Sequence, residues 1–291
     1  GVRLDDIPLE NNDKKSLWYK ILDDACKWYE VQLRKTPAVV EYLLSRGLTK
    51  ETIIKFRIGY VPEGWHQLYS YLKSKKYSDE DMEQVGLVTK KEQGSYYDRF
   101  RSRIMFPIMD AQGRVVGFSG RIFSNSEEEV KGAKYVNSPE GPLFDKSNIL
   151  FGYSFAKHEI RNKDACLLVE GQFDVILSQQ AGYTNTVAIS GTGLSDQHLG
   201  LIKRFTNNLL LALDSDSAGI KATRRSVLAA YRNGMNVRVV SLPKGMDPAD
   251  TIVKSKEQFG VYVHDAKDYF DYRIEEAARE ELSFKDKKVL V

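Results

Sequence analysis

The sequence predicts an α/β protein with an α+β N-terminal lobe, a second lobe built on a mainly parallel sheet, and the start of a C-terminal helical segment. From residue 146 onward, apolar strand-like runs alternate with helical runs, the pattern of a parallel sheet flanked by helices. Before residue 146, several helical runs lead into two strand-like runs joined by a turn. We therefore expect domains at 1–145 and 146–262, followed by a charged helical segment at 263–291.

Start and stop signals mark the individual elements. Apolar residues between Leu17 and Leu33 recur at helical spacing, which predicts a helix with one buried face. Pro37 suits the first turn of a second helix, which should stop at Gly47. Further helices are expected from Thr49, over 66–75, from Ser78, and over 173–181 and 218–233, the last two closed by Gly182 and Gly234. Strands are expected over 56–61, 103–108 and 115–119.

The composition is that of an ordinary globular protein. Of its 291 residues, 42% are hydrophobic and 29% are charged, and no apolar run is long enough to span a membrane. We therefore expect a cytoplasmic protein without a membrane partner. The two cysteines are too few for a disulfide framework or a four-ligand zinc site, so they should act as small apolar residues. A net charge of +3 does not by itself indicate a nucleic-acid partner.

Acids follow three apolar, strand-like runs of the second lobe. Glu170 and Asp174 follow the run at 165–169, and Asp214 and Asp216 follow the run at 209–213. Asp247 and Asp250 follow the run at 237–240. Open α/β sheets place ligand sites at the C-terminal ends of their strands. Converging carboxylates repel one another unless a cation lies among them, and hard oxygen ligands suit Mg²⁺ or Mn²⁺. The pattern predicts a metal-dependent phosphoryl-transfer site.

A second interpretation applies to these acids, because carboxylates are common at helix N-termini. Asp174 fits a helix cap as well as it fits a metal site. Asp214 and Asp216 favour the metal site, since two acids beside an all-apolar strand need compensation.

Basic residues cluster in the N-terminal lobe. Arg99, Arg101 and Arg103 alternate, so in a strand all three would point to one face. Aromatic neighbours at 96, 97 and 100 favour a surface that binds a polyanion over a merely solvated face. Other candidate nucleic-acid or nucleotide ligands in nearby segments are Arg121, Lys134, Asn137 and Lys146.

Several motifs resemble known families. The Glu-Gly-x-x-Asp motif at 170–174 and the Asp-x-Asp-x-x-Gly motif at 214–219 resemble the TOPRIM domain, which bacterial primases, topoisomerases and some nucleases share. Upstream, Tyr-Asp-Arg-Phe-Arg-Ser-Arg-Ile-Met-Phe-Pro-Ile at 97–108 resembles the DnaG-type bacterial primases. Gly-Phe-Ser-Gly-Arg at 117–121 and Lys-Tyr-Val-Asn-Ser-Pro-Glu at 134–140 do so too. This resemblance runs to about residue 250.

The resemblance to the primases implies an RNA-polymerase core that makes short RNA primers on single-stranded DNA from NTPs. It implies two Mg²⁺ or Mn²⁺ ions held by Glu170, Asp214 and Asp216, with Asp174 and Asp247 as supporting acids. Arg121, Lys134 and Lys146 match residues implicated in binding template or nucleotide. Ala249 stands where the family often has a second Asp, so Asp250 could replace that acid only if the backbone shifted.

Other functions stay open at this point. A topoisomerase or nuclease fragment would share the TOPRIM motifs, and so would a non-catalytic module that binds nucleic acid or a nucleotide. The sequence lacks the Cys/His cluster of a primase zinc module, and no helicase-binding domain follows Val291. We therefore expect an excised core whose full-length form works with a replicative helicase.

Overall fold

The computed structural model describes residues 9–123, 133–189, 193–213 and 217–279. The chain folds into two compact units, an N-terminal unit over Gly1–Lys146 and a C-terminal unit over Ser147–Val291. Mixed helices and sheets form both units, which confirms the predicted α/β class. Among the described residues, no helix is long and apolar enough to cross a membrane.

In the described part of the N-terminal unit, five helices combine with a four-stranded antiparallel sheet and a small hairpin. The helices are α1 Leu9–Arg34, α2 Pro37–Ser45, α3 Lys50–Lys55, α4 Gln67–Ser74 and α5 Asp79–Gln84. The strands are β1 Gly59–Val61, β2 Val88–Lys90, β3 Tyr96–Asp98, β4 Arg103–Met109, β5 Val115–Ile122 and β6 Tyr135–Asn137. The larger sheet has the order β1-β4-β5-β6, and β2 pairs with β3.

Helix α1 packs its apolar face onto this sheet. Tyr29 is buried, and its ring meets Phe118 of β5 edge to face, with 5.2 Å between ring centroids. At Gly59 a Cβ atom would lie 2.4 Å from the Tyr29 Cβ, so the close approach of α1 to β1 requires glycine. The periodicity that predicts this helix therefore also identifies its buried face.

Local capping chemistry explains where the short helices begin. The side-chain oxygens of Thr49 and Ser78 accept hydrogen bonds from the third residues of α3 and α5, and Pro37 begins α2, as the sequence predicts. The strand expected over 56–61 begins only at Gly59. Arg57 adopts a left-handed backbone (φ 54°), and its guanidinium pairs with Asp23 and Glu30 of α1 at 2.7 Å each. This turn shortens the strand.

The C-terminal unit is a six-stranded sheet flanked by helices. Its strands are β7 Leu150–Phe151, β8 Cys166–Val169, β9 Thr186–Ile189, β10 Asn208–Leu211, β11 Asn236–Val239 and β12 Lys267–Asp268, in the order β12-β11-β10-β8-β9-β7. The four central strands are parallel, and the two edge strands are antiparallel to their neighbours. Strands β8 and β9 are buried along their whole length, as a sheet covered on both faces requires.

A helix follows each of these strands in the chain, and the last helix follows β12. The helices are α6 Tyr153–Asn162, α7 Gln172–Gln180, α8 Asp196–Lys203, α9 Ser217–Arg232, α10 Pro248–Lys254, α11 Lys256–His264 and α12 Tyr269–Arg279. Gly182 and Gly234 follow α7 and α9 with positive φ (101° and 67°), which confirms the predicted helix ends. Of the helical segment expected over 263–291, residues 269–279 form α12, and residues 280–291 lie outside the described part.

Candidate metal site and nucleic-acid surface

The three strands that the predicted acidic segments follow, β8, β10 and β11, are parallel neighbours in the sheet. In the register of the sheet, Leu211 of β10 pairs with Leu168 of β8 on one side and with Val239 of β11 on the other. The half-buried Glu170 follows directly after β8. Asp214 and Asp216 lie outside the described residues, so the geometry of these two acids stays a prediction. Because β10 lies between β8 and β11, the C-terminal ends of the three strands are adjacent, as a shared metal site requires.

Asp174 links two of the three acidic segments. This carboxylate is 5% exposed; its Oδ2 accepts a hydrogen bond from the Gly171 N–H at 2.9 Å, and its Oδ1 accepts one from the Ala249 N–H at 3.0 Å. In the first bond the third residue of α7 accepts from the N–H of the N-cap residue Gly171, which is one half of a capping box; glycine has no side chain to supply the other half. Both oxygens therefore serve backbone amides, which fits the capping interpretation and holds the start of α10 against α7.

The third acidic segment is organised by Asp247. Its Oδ1 accepts a hydrogen bond from the Asp250 N–H at 2.6 Å, so Asp247 caps α10, with Pro248 in the first turn. Ala249 is buried, whereas the Asp250 side chain is exposed at the third position of the helix. In this arrangement the Asp250 side chain does not take the place of Ala249.

The donor chemistry of these segments suits a hard divalent cation, because carboxylate oxygens are the ligands that Mg²⁺ and Mn²⁺ prefer. Within the described ranges no group of three or more His, Cys, Asp or Glu side chains could hold a metal ion. The predicted ligand set depends on Asp214 and Asp216, which those ranges do not include.

The predicted common face of three arginines is wrong. Strand β3 ends at Asp98 and β4 begins at Arg103, and between them Ser102 adopts a left-handed conformation (φ 50°). The chain is therefore not extended from 99 to 103, and the alternation of the arginines does not bring them onto one face.

Arg103 is a buried structural residue. Its Nη1 donates to the carbonyl oxygens of Gly120 (2.9 Å) and Lys134 (3.3 Å), and its Nη2 donates to that of Ala133 (3.0 Å). Burial lowers the pKa of its guanidinium. These bonds fix the segment that carries Lys134. Arg99 is half-buried, and burial lowers its pKa as well.

Arg101 takes part in an exposed aromatic and cationic surface, here called the Trp65 platform, made of Trp65, Lys91, Tyr97 and Arg101. The Arg101 Cζ lies 4.0 Å from the Trp65 ring centroid, and the two aromatic rings meet edge to face at 5.4 Å. The Lys91 Nζ lies 5.8 Å from the Trp65 ring. Trp65 is 54% exposed and, with His66, Lys91 and Tyr97, lines an open cavity of about 480 Å³. Such a surface suits stacked bases and phosphates.

The sequence pattern does not predict Trp65 and Lys91 as functional residues. Trp65 follows Gly64, which has a φ of 136°, in a turn between β1 and α4, so no helical or strand periodicity assigns its ring to a core. A large aromatic residue at such a position is the signal that could have found it.

The remaining candidate ligands belong to the larger sheet or follow it. Opposite residues in this antiparallel sheet share a face, and Arg121 lies opposite Tyr135 while Ser119 lies opposite Asn137. Arg121 and Asn137 therefore lie on one face, and Arg103, which pairs with Ile122, lies on the other. Lys134 is exposed just before β6. The Lys146 N–H bonds the Glu140 carboxylate at 3.3 Å.

Comparisons with known proteins assign both units. Residues 28–157 match the family model described as DNA primase catalytic core, N-terminal domain, and residues 167–252 match a Toprim-like model. A DNA primase of Staphylococcus aureus is 40% identical over 268 residues, and one of Staphylococcus epidermidis is 41% identical over 248 residues. These matches cover 89% and 84% of this chain but 44% and 41% of the relatives, so the chain spans less than half the length of those proteins.

Solved structures agree over most of their length. The RNA polymerase domain of Mycobacterium tuberculosis primase DnaG is 30% identical, with a TM-score of 0.84 over 94% of this chain and 91% of that one. A primase domain from Pseudomonas aeruginosa is 34% identical, with a TM-score of 0.80 over 89% and 82%. The fold and the acidic strand ends thus define a Toprim-containing protein. More specifically, the chain belongs to the family of DnaG-type bacterial DNA primases and corresponds to their catalytic core.

Proposed function

We propose that this chain synthesises short RNA primers on a single-stranded DNA template from NTPs, using two divalent cations, Mg²⁺ or Mn²⁺. The observation that carries the proposal is the set of three adjacent parallel strands, each followed by acids, in a chain of the primase family. In the full-length protein we expect this core to work beside a replicative helicase.

Glu170, Asp214 and Asp216 are the proposed ligands of the cations, with Asp247 as a supporting acid. When bound, the cations would activate the primer 3′ hydroxyl and stabilise the pyrophosphate leaving group. Asp174 acts through the backbone, because its two oxygens hold the starts of α7 and α10. These two bonds hold the backbone segment after β8, which carries Glu170, against the segment that carries Asp247.

The N-terminal unit is proposed to bind the template and the incoming nucleotide. Bases would stack on the Trp65 platform, where each stacked base contributes roughly 1–3 kcal/mol. Arg99, Arg101 and Lys134 would meet template phosphates, while Arg121, Asn137 and Lys146 would contact template or nucleotide. Support comes from a solved DnaG catalytic domain bound to ssDNA, 32% identical with a TM-score of 0.79.

The test is primer synthesis with ssDNA, labelled NTPs and Mg²⁺ or Mn²⁺. Wild-type protein should produce short RNA, and EDTA should stop synthesis. Glu170→Gln and Asp214→Ala should abolish synthesis while circular dichroism and melting temperature stay near wild type. Asp250→Asn, which changes an exposed acid of α10, is the matched control and should stay active.

The outcomes separate the alternatives. Full synthesis by Glu170→Gln or Asp214→Ala would overturn the metal-site assignment. Metal-dependent cleavage of DNA without RNA synthesis would indicate a nuclease or topoisomerase fragment. Binding of ssDNA without any product would indicate a non-catalytic module.

A further inference from the structure

A buried carboxylate lies beneath the Trp65 platform. Asp98, the last residue of β3, is 1% exposed. Its Oδ2 accepts a hydrogen bond from the Leu68 N–H at 2.9 Å, and its Oδ1 accepts one from the Tyr69 N–H at 2.8 Å. These amides belong to the first turn of α4, whose own N-cap residue, His66, makes no side-chain capping bond. Asp98 therefore caps a helix about 30 residues away in the chain.

The backbone of Asp98 holds the platform directly. Its N–H donates to the carbonyl oxygen of Trp65 at 2.7 Å, and its own carbonyl oxygen accepts a hydrogen bond from Nη1 of Arg101. Tyr97, the preceding residue, supplies the second ring. One residue thus ties together the turn that carries Trp65, the start of α4 and the guanidinium that stacks on the Trp65 ring.

We infer that Asp98 is a positioning residue for single-stranded DNA, one that sets the geometry of the Trp65 platform without touching the nucleic acid. The inference rests on the proposed function of that platform. Burial keeps Asp98 from the ligand, so it can act only through the residues that it holds. Preorganised stacking surfaces bind more tightly because less ordering is needed on binding.

Capping α4 in this way requires two acceptor oxygens, which the carboxylate of Asp98 provides. Asparagine has nearly the same size but offers one acceptor oxygen, and its NH₂ group would face an amide N–H of α4. The start of the helix would then lose a hydrogen bond, and the Trp65 turn would loosen. Asp98→Asn should therefore disturb the platform while leaving the surrounding apolar core intact.

The control is Asp24→Asn. Asp24 is another buried acid of the N-terminal unit, 8% exposed, and its Oδ2 accepts hydrogen bonds from the Tyr77 hydroxyl (2.7 Å) and the Lys75 Nζ (3.1 Å). Its replacement removes the carboxylate charge that pairs with Lys75 and should lower stability by weakening both bonds, but these bonds lead to residues outside the platform. The pair separates a local role at the platform from a general loss of stability.

The experiment measures anisotropy of a fluorescein-labelled oligo(dT), together with KM for template and for NTP, in the whole chain. Asp98→Asn should weaken oligo(dT) binding about tenfold and raise the template KM by a similar factor, with the NTP KM and kcat unchanged. Asp24→Asn should keep the template KM of wild type. A double variant of Asp98→Asn with Trp65→Ala should bind little worse than Trp65→Ala alone, because both changes remove the same stacking surface.

The inference is overturned if Asp98→Asn weakens oligo(dT) binding no more than Asp24→Asn does. It is also overturned if the loss of binding free energy in the double variant equals the sum of the losses in Asp98→Asn and Trp65→Ala. If Trp65→Ala itself binds like wild type, the proposed role of the platform fails, and the inference fails with it. If Trp65→Ala binds oligo(dT) weakly but Asp98→Asn binds it like wild type, the role of the platform stands and only the inference about Asp98 is overturned. Should Asp98→Asn not fold, adding His66→Ser gives α4 a cap of its own, and the double variant is then compared with His66→Ser alone, because His66 lines the same cavity.

Discussion

Two arginines of the N-terminal unit stack on aromatic rings at the same distance. Arg101 lies 4.0 Å from the Trp65 ring, and Arg114 lies 4.0 Å from the Tyr19 ring. Their polar partners differ. Arg114 pairs with the Asp110 carboxylate at 2.8 Å, which neutralises its charge, whereas Arg101 donates to the neutral carbonyl of Asp98. The charge of Arg101 is therefore better placed to attract phosphate.

This difference predicts unequal effects on binding. Arg101→Ala should weaken binding to oligo(dT) about tenfold and lower the salt slope of log K by about 1, since one phosphate contact and one stacked cation are lost. Arg114→Ala removes the same charge from the same unit and should leave both quantities near wild type. Titrations at several salt concentrations measure both. Equal losses in the two variants would show that net charge, rather than the platform, governs binding.

Single residues also explain which features the sequence pattern does not predict. The spacing of Arg99, Arg101 and Arg103 indicates a strand, but the spacing carries no information on the left-handed Ser102 that separates them. Burial of Arg103 among carbonyl oxygens depends on the pairing of β4 with β5 and on the segment before β6, which are distant in sequence. Trp65 was missed for the same reason, because its neighbours Tyr97 and Arg101 join it only in the fold.

Among the elements, α7 and α10 share one capping acid. Asp174 and Asp250 both occupy the third position of a helix, but Asp174 is buried and bonds Gly171 and Ala249, whereas the Asp250 side chain is exposed. The contribution of each acid to stability should follow from this difference in burial rather than from position in the helix.

We predict that Asp174→Asn lowers the free energy of unfolding by about 1–3 kcal/mol, because one buried amide N–H loses its acceptor. Asp250→Asn should change it by less than about 0.5 kcal/mol, the usual effect of an exposed substitution. Urea unfolding followed by circular dichroism measures both. Equal effects would mean that the bond between Asp174 and Ala249 does not stabilise the unit.

Elements were more predictable than residues. Helix starts at Pro37, Thr49 and Ser78 follow from local capping chemistry, which the sequence contains in full. The parallel direction of β8, β10 and β11 follows from alternating strands and helices. Strand β1 was predicted too long because Arg57 turns the chain to reach two acids of α1, a contact across about 30 residues.

At the scale of the whole molecule, the division into two units separates two proposed tasks. The cationic and aromatic residues of the Trp65 platform belong to Gly1–Lys146, and the acids of the proposed metal site belong to Ser147–Val291. Each unit has its own sheet and its own buried residues.

We therefore predict that a fragment over 1–146 keeps the affinity of the whole chain for oligo(dT) to within about threefold, since the platform lies within one unit. A fragment over 147–291 should bind Mn²⁺, detectable by electron paramagnetic resonance, and neither fragment alone should make RNA. The whole chain is the control. Weak oligo(dT) binding by a folded 1–146 fragment would show that the template surface extends into the other unit.

Each unit also contains one cysteine, Cys26 in the first and Cys166 in the second, and both thiols are free and buried. Burial raises the pKa of both thiols, which further suppresses their reaction in the closed state. A thiol reagent can modify either residue only after the surrounding unit opens. The rate at which each cysteine is labelled therefore depends on the opening of its own unit. Mass spectrometry of the two labelled peptides would report the opening of both units in the same sample.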